Sequence, residues 1–389
     1  MGWIAQQLGC APNQVDLELV AGDASPRRYY RVTDSAVMLS NERQGGDSEA
    51  ASLIGVISPS SENNEAFLYV GAKLAECGVR TPKVWSRNIE SGWFLLEDFG
   101  DQLLLPLLSS SASASASASA SASASGLYGL SLDALAQLAS IPCDDADIPR
   151  YDTQRLRSEL AIFPEWFLSA LLDIDVDDQA RHRIEGLSEY LSVIFEEQPV
   201  VWVHRDFHSR NLMLLGDGDL GVIDFQDAVL GPVAYDPASL LKDCYIRWPR
   251  DQQLKWLDGY LKKLRSPRGI TSPVNTPALS AAQASRRQTL AKQLENVKAA
   301  QFQRWFDLTG LQRHLRVLGV FARLHLRDHK SSYLADLPLV TEYVREALAL
   351  TADSHSSVAE FRDWFESELM AVIRKQPWYK VIDSRGWAL

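Results

Sequence analysis

The sequence has few cysteines, no long apolar segment and fewer basic than acidic residues. Its 4 cysteines among 389 residues stand far apart, at Cys10, Cys77, Cys143 and Cys244, so neither a zinc knuckle nor a dense disulfide framework is predicted. No apolar run approaches the ~20 residues that cross a bilayer. Lys and Arg number 39 against 50 Asp and Glu, which gives a net charge of -11 and argues against a general nucleic-acid or anionic-membrane surface. Because the first ten residues also lack the basic and apolar parts of a signal peptide, we expect a cytoplasmic enzyme or binding protein.

Two common nucleotide-binding motifs are also missing. No Gly-Lys dipeptide occurs in the chain, which excludes a Walker A phosphate loop. The glycines of Gly216-x-Gly218-x-x-Gly221 match a dinucleotide fingerprint, but the pattern that follows them is a strand and not a helix. Any nucleotide site must therefore be built in another way.

Composition divides the chain into a β-rich first lobe, residues 1–100, and a mainly helical second lobe, residues 127–389. The Ser-Ala alternation within residues 101–126 is predicted to be a disordered linker, and Ser266–Ser285 a second connection. Strand patterns in the first lobe cover Leu17–Ala21, Tyr29–Thr33, Ala36–Ser40, Lys83–Ser86 and Trp93–Glu97, with one helix at Glu62–Glu76. The predicted fold class is α+β.

A hairpin is predicted where Asp217-Gly218 separates two short apolar runs. If the turn is centred on that dipeptide, Leu215 faces Leu220, and Asn211 faces Asp224 on the same side of the ribbon. An amide oxygen and a carboxylate are then neighbours. Hard cations such as Mg²⁺ take ligands of this kind, usually one or two from the protein and the rest from substrate phosphates.

A third acid, Asp206, lies on the loop that leads into this hairpin. The spacing His-x-Asp-x-x-x-x-Asn, followed by an Asp after a hairpin, is the one used in phosphoryl transfer. Asp206 would accept the proton of an attacking hydroxyl, while Asn211 and Asp224 hold Mg²⁺ on the nucleotide. The alternative is that the three residues are an ordinary loop cap, a turn residue and a strand-end acid.

Three further polar residues around this loop favour structural roles. His204 and His208 leave a strand and do not lie on a helix, so loop support is favoured over zinc binding. Asp236 precedes a proline and is predicted to be a helix N-cap that also braces the Asp206 loop.

In the first lobe, the turn between the first two strands could bind phosphates. It offers Ser25, Arg27 and Arg28, although an ordinary turn with solvated arginines is the alternative. The strand pattern that ends in Glu97 and Phe99 could be a hinge whose backbone reads an adenine edge. No Lys lies on the predicted third strand, so either an arginine such as Arg28 or Arg31 replaces it, with Glu65 as a possible partner, or metal and backbone contacts suffice.

Several blocks resemble known phosphotransferases. His204-Arg-Asp-Phe-His-Ser-Arg-Asn211, Ile223-Asp-Phe-Gln-Asp227 and Tyr235-Asp-Pro-Ala-Ser-Leu-Leu241 are similar to the aminoglycoside phosphotransferase superfamily. Gly22-Asp-Ala-Ser-Pro-Arg-Arg-Tyr-Tyr-Arg31, Phe163-Pro-Glu-Trp-Phe167, Asp243-Cys-Tyr-Ile-Arg-Trp248 and the segment from Trp305 to Leu324 resemble the bacterial anomeric N-acetylmuramate/N-acetylglucosamine kinases. The likeness covers nearly the whole chain apart from the two connections. Residues Ser40-Asn-Glu-Arg43 depart from the Asp-Ala-Pro-Pro segment expected after the third strand.

The resemblance implies a protein-kinase-like two-lobed fold and ATP-dependent, Mg²⁺-dependent phosphorylation of the anomeric hydroxyl of a cell-wall amino sugar. The product would be a sugar 1-phosphate in peptidoglycan recycling, with Asp206 as base and Asn211 and Asp224 as magnesium ligands. No nucleic acid, membrane or obligate protein partner is expected.

The acceptor pocket is expected to combine aromatic faces with polar groups, and an arginine would suit the carboxylate of N-acetylmuramate. The candidates are Glu165, Trp166, Arg247, Trp305 and Arg313. Two other functions stay open: a kinase of another small alcohol, such as an aminoglycoside or choline, and a catalytically silent nucleotide-binding module.

Overall fold

The computed structural model describes residues 1–21, 26–33, 52–113, 118–144, 147–266 and 279–382. The chain forms two compact units. One consists of Met1–Gln102 with Met213–Asp227, and the other of Leu103–Leu212 with Ala228–Leu389. The predicted first lobe ended near the same point, at residue 100, but did not include the segment from Met213 to Asp227.

The first unit is built on an antiparallel sheet with the strand order β1-β2-β3-β5-β4. Helix α1 (Gly2–Leu8) packs Ile4, Ala5 and Leu8 against apolar side chains of the sheet. Helix α2 (Asn64–Glu76) begins at Asn63, whose side chain accepts a hydrogen bond from the Ala66 N–H at 2.9 Å. The strands are β1 (Asp16–Ala21), β2 (Arg28–Thr33), β3 (Leu53–Ile57), β4 (Val84–Asn88) and β5 (Trp93–Glu97).

Four of the five strands predicted in this unit are confirmed, but strand β3 was missed. The third predicted strand, Ala36–Ser40, and the Ser40–Arg43 segment lie outside the described residues. Strand β3, which pairs with both β2 and β5, is instead Leu53–Ile57. It contains no lysine, so the absence noted in the sequence also holds for the strand that precedes α2 in the structure.

The second unit is mainly helical, and the α+β prediction is confirmed. Its two-stranded antiparallel sheet pairs β6 (Val200–Val203) with β9 (Val229–Pro232). Two segments, Phe163–Leu171 and Phe365–Leu369, are π-helical. The described α-helices are α3 (Leu104–Ser113), α4 (Ala118–Leu138), α5 (Thr153–Leu160), α6 (Asp178–Glu196), α7 (Tyr235–Leu241), α8 (Arg250–Arg265), α9 (Ala281–Leu294), α10 (Ala299–Leu326), α11 (Leu337–Thr351), α12 (Ser356–Trp364) and α13 (Met370–Ile373).

Helix α10 is the longest of these and is buried along most of its length. A glycine allows the π-helical segment to pack closely on it, because a Cβ at Gly319 would lie 2.4 Å from the carbonyl oxygen of Ile162. Nearby positions on α10 carry buried polar side chains, including Gln312, Arg313 and His314. Buried polar groups need partners, so this helix is where functional or structural polar contacts are expected.

The two predicted connections contain more helix than expected. Helices α3 and α4 extend into the Ser-Ala alternation from either side, which contradicts the predicted disorder over their described residues. The apolar ends of these helices are anchored by Leu104 and Leu108 in α3 and by Tyr128 and Leu132 in α4, all buried. Once a helix is nucleated, alanine extends it at little cost. In the second connection, α9 begins at Ala281, after a Ser280 cap.

The four cysteines are free, as predicted. Among the described residues, no helix is both long and apolar enough to cross a membrane.

Candidate active site

The predicted hairpin is present, with β7 (Leu212–Leu214) paired to β8 (Leu220–Val222). Its register was predicted wrongly by one residue. The Gly218 N–H donates to the Leu215 carbonyl, and the Leu215 N–H donates to the Asp219 carbonyl, both at 2.9 Å, so Leu215 faces Asp219 and not Leu220. The loop has three residues because Gly218 takes the left-handed conformation, with φ at 84°.

Asp224 follows this hairpin by two residues and has a left-handed backbone, with φ at 63°. Such a conformation is uncommon for a residue other than glycine, and it is often found at functional sites. Its Oδ1 accepts a hydrogen bond from the Gln226 Nε2 at 2.9 Å. The next residue, Phe225, stacks on Phe67 of α2 with ring centroids 5.1 Å apart. The backbone after Asp224 is therefore fixed by packing, and its carboxylate accepts a hydrogen bond from a residue nearby in the chain.

In the second unit, the loop after β6 closes on itself around Asp206. The Asp206 carbonyl accepts hydrogen bonds from the Asn211 Nδ2 at 2.9 Å and from the His208 N–H at 3.0 Å. The Asn211 N–H in turn donates to the His208 carbonyl at 2.9 Å. These bonds fix the orientation of the Asn211 amide relative to the backbone of Asp206.

Two buried acids hold this loop from outside. Asp236 accepts hydrogen bonds from the His204 N–H at 2.6 Å and the Arg205 N–H at 3.0 Å. Asp243 accepts from the Ser209 N–H at 2.9 Å and its hydroxyl at 2.5 Å. Asp236 is not the N-cap that the sequence predicted, because α7 begins at Tyr235, one residue earlier. The Asp236 carboxylate instead binds the Asp206 loop. Burial raises the pKa of Asp236 to about 6, although the charge of His204 and the two N–H bonds act in the opposite direction.

The two histidines of the loop make contacts within its packing. His204 is buried, and its ring meets the edge of Phe207, while the His208 ring meets the edge of Tyr245. Among the described residues, no group of three or more His, Cys, Asp or Glu side chains is arranged to hold a metal ion.

Asp206 is surrounded by basic side chains. Burial by itself would raise the pKa of its carboxyl, but four nearby basic groups outweigh burial and lower the pKa to about 2. They are, in order of effect, Arg316, His208, Arg205 and Arg313. Asp206 is therefore a carboxylate at neutral pH.

Glu159 on α5 holds two of these arginines. Its carboxylate pairs with Arg205 at 2.5 Å and with Arg316 at 3.4 Å, and it also accepts the Tyr151 hydroxyl. Arg205, the residue before Asp206, has a strained left-handed backbone, with φ at 76°. Its side chain is held by the ion pair with Glu159. Glu159, Arg205, Arg316 and Asp206 therefore form one buried charged cluster.

The predicted phosphate-binding turn is partly described. Ser25 lies outside the described residues, and Arg28 is exposed. Arg27 is buried: its Nε donates to the Ser58 hydroxyl at 3.1 Å, its Nη1 lies 3.4 Å from Glu62, and its guanidinium lies over the ring of Phe67. The nearest acid to the buried arginine is therefore Glu62, just before α2, and not the predicted Glu65.

Arg31, the other arginine considered, is engaged elsewhere. It pairs with Asp98 at 2.6 Å and with Asp101 at 2.8 Å. Burial raises the pKa of Asp98, but hydrogen bonds from Arg31, Ser52 and the Gly100 N–H outweigh it, and the pKa is lowered. These bonds fix the end of β5.

The predicted hinge residues follow directly along β5. The Glu97 side chain pairs with Arg80, and its N–H donates to the Lys83 carbonyl at 2.9 Å, so that N–H has a partner within the sheet. Phe99 lies under the Arg80 guanidinium at 5.3 Å. The predicted adenine contact from the backbone of Glu97 to Phe99 stays a prediction.

The five acceptor candidates do not form a single group. Trp305 is buried, and its Nε1 donates to Glu197, so it belongs to the packing. Arg247 pairs with Glu346 at 2.5 Å. Arg313 is buried and contributes to the charge around Asp206. The remaining two lie on the π-helical segment, where Glu165 is exposed and Trp166 is half-buried.

Sequence reasoning missed Glu159, Arg316, Asp243 and Glu62. Their partners lie far away in the chain, and no local motif marks them. Asp243 was quoted only as part of a family-like block, and Glu62 only as the start of a helix.

Comparisons with known proteins show the family to which the chain belongs. A family model described as "Phosphotransferase enzyme family" matches residues 16–273. An N-acetylmuramate/N-acetylglucosamine kinase of Pseudomonas aeruginosa is 33% identical over 347 residues, which cover 89% of this chain and 88% of that protein. One of Pseudomonas putida is 32% identical over 332 residues, with coverages of 85% and 83%.

Among solved structures, the choline kinase of Cryptosporidium parvum matches with a TM-score of 0.52 at 10% identity, covering 92% of this chain and 95% of that one. This likeness concerns the fold, and it confirms the predicted protein-kinase-like two-lobed architecture. With a family model that spans most of the chain and relatives above 30% identity along it, the chain belongs to the phosphotransferase enzyme family.

Proposed function

We propose that this protein is a cytoplasmic kinase that uses ATP to phosphorylate the anomeric hydroxyl of N-acetylmuramate or N-acetylglucosamine, in the recycling of peptidoglycan sugars. The names of its relatives support the sugar. The observation that carries the chemistry is the Asp206 loop, in which Asn211 donates a hydrogen bond to the backbone carbonyl of Asp206 and basic groups surround a carboxylate that is charged at neutral pH.

In the proposed reaction, the anomeric oxygen attacks the γ-phosphorus of ATP and the bond to the β–γ bridging oxygen breaks. ADP leaves, and the proton of the hydroxyl passes to the Asp206 carboxylate. With its pKa near 2, Asp206 is a weak base, so its main contribution is to orient the hydroxyl and take up the proton late in the transfer. The arginines around it favour the negative charge that develops on the transferred group.

Asn211 and Asp224 suit Mg²⁺ in their chemistry. They supply one amide oxygen and one carboxylate, which is the usual protein share for a nucleotide-bound magnesium ion. Asn211 immediately precedes β7, and Asp224 follows β8 by two residues. The Asn211 amide donates to the Asp206 carbonyl and the Asp224 carboxylate accepts from the Gln226 Nε2, and these bonds orient the two side chains. A bound magnesium ion would neutralise charge on the nucleotide phosphates.

Arg27 is the residue we propose in place of the lysine that strand β3 lacks. In protein kinases that lysine pairs with a glutamate of the following helix and contacts the nucleotide phosphates. Here Arg27 pairs with Glu62 at the start of α2, is held by Ser58 at the end of β3, and lies over Phe67. It also lies close to Tyr29, whose pKa burial raises to about 12, with Arg27 and Asp224 exerting opposite effects on it. We also propose nucleotide contacts from Ser25, from Arg28 at the start of β2 and from the backbone of Phe99.

For the acceptor, we retain Glu165, Trp166 and Arg313 as candidates. Arg313 acts on Asp206 directly through its charge, and the other two lie on the π-helical segment that packs on α10. Trp305 and Arg247 are better explained as packing and ion-pair residues.

The test is ATP consumption by the purified protein with N-acetylmuramate, N-acetylglucosamine, choline and an aminoglycoside, followed by phosphorus NMR of each product. We expect an anomeric phosphate from an amino sugar, dependent on Mg²⁺. Asp206→Asn should lower kcat by at least about 100-fold, the usual contribution of a positioned acid–base group. Asp217→Asn, in the exposed hairpin loop, is the matched control and should keep wild-type activity. Phosphorylation of choline or the aminoglycoside alone would contradict the sugar assignment, and a fully active, folded Asp206→Asn variant would contradict the mechanism.

A further inference from the structure

Helix α10 carries Arg316 and Arg323 along its last part, Arg327 follows its end, and among the described residues only Arg316 and Arg327 of these three form an ion pair. Arg316 pairs with Glu159 at 3.4 Å, and Arg327 pairs with Asp328 at 2.8 Å. Between them, Arg323 is half-buried, and its Nε is buried without a hydrogen-bond partner among the described residues. Buried nitrogen donors normally have partners, so this one needs an explanation.

The electrostatic surroundings of the Arg323 guanidinium are also unfavourable. Burial lowers its pKa, and so do the positive charges of Arg327 and Arg316, while Asp328 and Glu165 offset only part of this effect. The guanidinium remains protonated in any protein environment. An anion placed here would relieve both the repulsion among the arginines and the missing hydrogen bond.

This excess of positive charge is next to the candidate active site. Arg316 is the strongest of the basic groups that lower the pKa of Asp206, and it is also one of the charges that act on Arg323. Seven residues separate the two arginines, which is about two helical turns and ~10 Å of axial rise, so both lie on the same face of α10. Their long side chains can approach a single ligand from two positions along that face.

We propose that Arg323, with Arg316 beside it, recognises a carboxylate on the sugar acceptor, and so selects acidic amino sugars over neutral ones. The inference rests on the proposed function. N-acetylmuramate differs from N-acetylglucosamine by a lactyl ether on C3 that ends in a carboxylate. C3 lies two carbons along the ring from the anomeric carbon, so the carboxylate and the reacting hydroxyl are on neighbouring parts of the sugar. A guanidinium can bind such a carboxylate with two parallel hydrogen bonds.

The experiment compares Arg323→Gln with wild type on three compounds: N-acetylmuramate, its methyl ester and N-acetylglucosamine. Arg327→Gln is the matched control, since it removes the same charge one turn further along the chain, from an exposed arginine that already has a partner. We expect Arg323→Gln to reduce the ratio of kcat/KM for N-acetylmuramate to that for N-acetylglucosamine about 10- to 100-fold, the loss typical of a charge-assisted hydrogen bond. The control should leave this ratio within about twofold, as is usual for an exposed ion pair.

Calorimetric binding without nucleotide separates this inference from the proposed function. Wild type should bind N-acetylmuramate more tightly than its methyl ester, and Arg323→Gln should bind the two alike, whether or not the sugar is phosphorylated. Thermal melts of both variants check that they are folded. Equal affinity of wild type for the acid and the ester, or an unchanged specificity ratio in folded Arg323→Gln, would overturn the inference. If wild type phosphorylated none of the sugars but still bound N-acetylmuramate more tightly than its methyl ester, the proposed reaction would be refuted and this inference would stand.

Discussion

Replacing Glu159 by glutamine tests the charged cluster around Asp206. The substitution keeps the shape of the side chain and one acceptor oxygen for the Tyr151 hydroxyl, but removes the charge that two arginines share. Removing one partner of a buried ion pair typically costs about 3–5 kcal/mol, because the other charge is left buried without compensation. Since glutamine still accepts hydrogen bonds, and Asp206 remains near both arginines, we expect the lower end, about 3 kcal/mol.

The assay is urea unfolding at neutral pH, together with steady-state kinetics. Relative to wild type, Glu159→Gln should lower the free energy of unfolding by about 3 kcal/mol and lower kcat by about tenfold or more, because Arg205 and Arg316 are then drawn towards Asp206. Glu189→Gln is the matched control: its partner, Arg157, lies 4.0 Å away and both side chains are exposed, so a change below about 1 kcal/mol is expected. If Glu159→Gln were no more destabilising than this control, the cluster would not have the energetic role assigned to it.

Two further predictions concern nucleotide binding and packing. Arg27→Gln should raise the KM for ATP about tenfold or more, with Arg87→Gln, which removes the same charge from an exposed position on β4, as its control; equal effects of the two would contradict the proposed role of the buried arginine. Gly319→Ala should destabilise the protein by about 1–3 kcal/mol, because its Cβ would meet the Ile162 carbonyl. The control, Gly259→Ala in α8, has open space around it and should stabilise the protein by about 0.5–1 kcal/mol. Urea unfolding measures both, and a Gly319→Ala variant as stable as wild type would refute the packing argument.

Local signals in the sequence predicted the elements they control. The apolar spacing from Asp178 to Glu196 predicts a helix with the bounds that α6 has, and the structure adds a cap, the Asp177 side chain accepting from the Ala180 N–H at 2.7 Å. The Asp217-Gly218 dipeptide correctly predicted a hairpin, but the register depends on whether two or three residues form the loop. Because Gly218 is free to adopt positive φ, the three-residue loop formed, and dipeptide identity alone does not distinguish the two.

Helix boundaries were predicted less well where tertiary packing decides them. The helical pattern from Thr153 to Leu172 predicts a single helix, but α5 ends at Leu160 and a π-helical segment begins at Phe163, near Pro164. A proline in a helical pattern is a known signal for such a break. Conversely, the pattern predicts separate helices at Arg287–Leu308 and Leu311–Arg327, whereas α10 runs through Gly310, which is packed against Lys242 and Ala238. Glycine's weak helix propensity is overridden by burial here.

The charges around the candidate site could not be predicted from the sequence for a related reason. The spacing of Asp206 and Asn211 is local and was visible, whereas Glu159 meets Arg205 and Arg316 only after α5 and α10 have packed. Charged residues are common, and their pairing carries no periodic signal. The same holds for Arg27, which looked like one of two equivalent arginines until its burial against Ser58 and Glu62 distinguished it.

The strained loop before Asp206 links stability to the proposed chemistry. A left-handed conformation at Arg205 costs on the order of 1–3 kcal/mol. Asp236 accepts two backbone N–H groups from this loop, and hydrogen bonds to a charged group contribute about 1.5–3 kcal/mol each, so they can offset that cost. Asp243 binds the other side of the loop through Ser209. A loop held in this way does not need to reorganise when charge develops on a transferred phosphoryl group, which is how a fixed polar site lowers the barrier of a reaction.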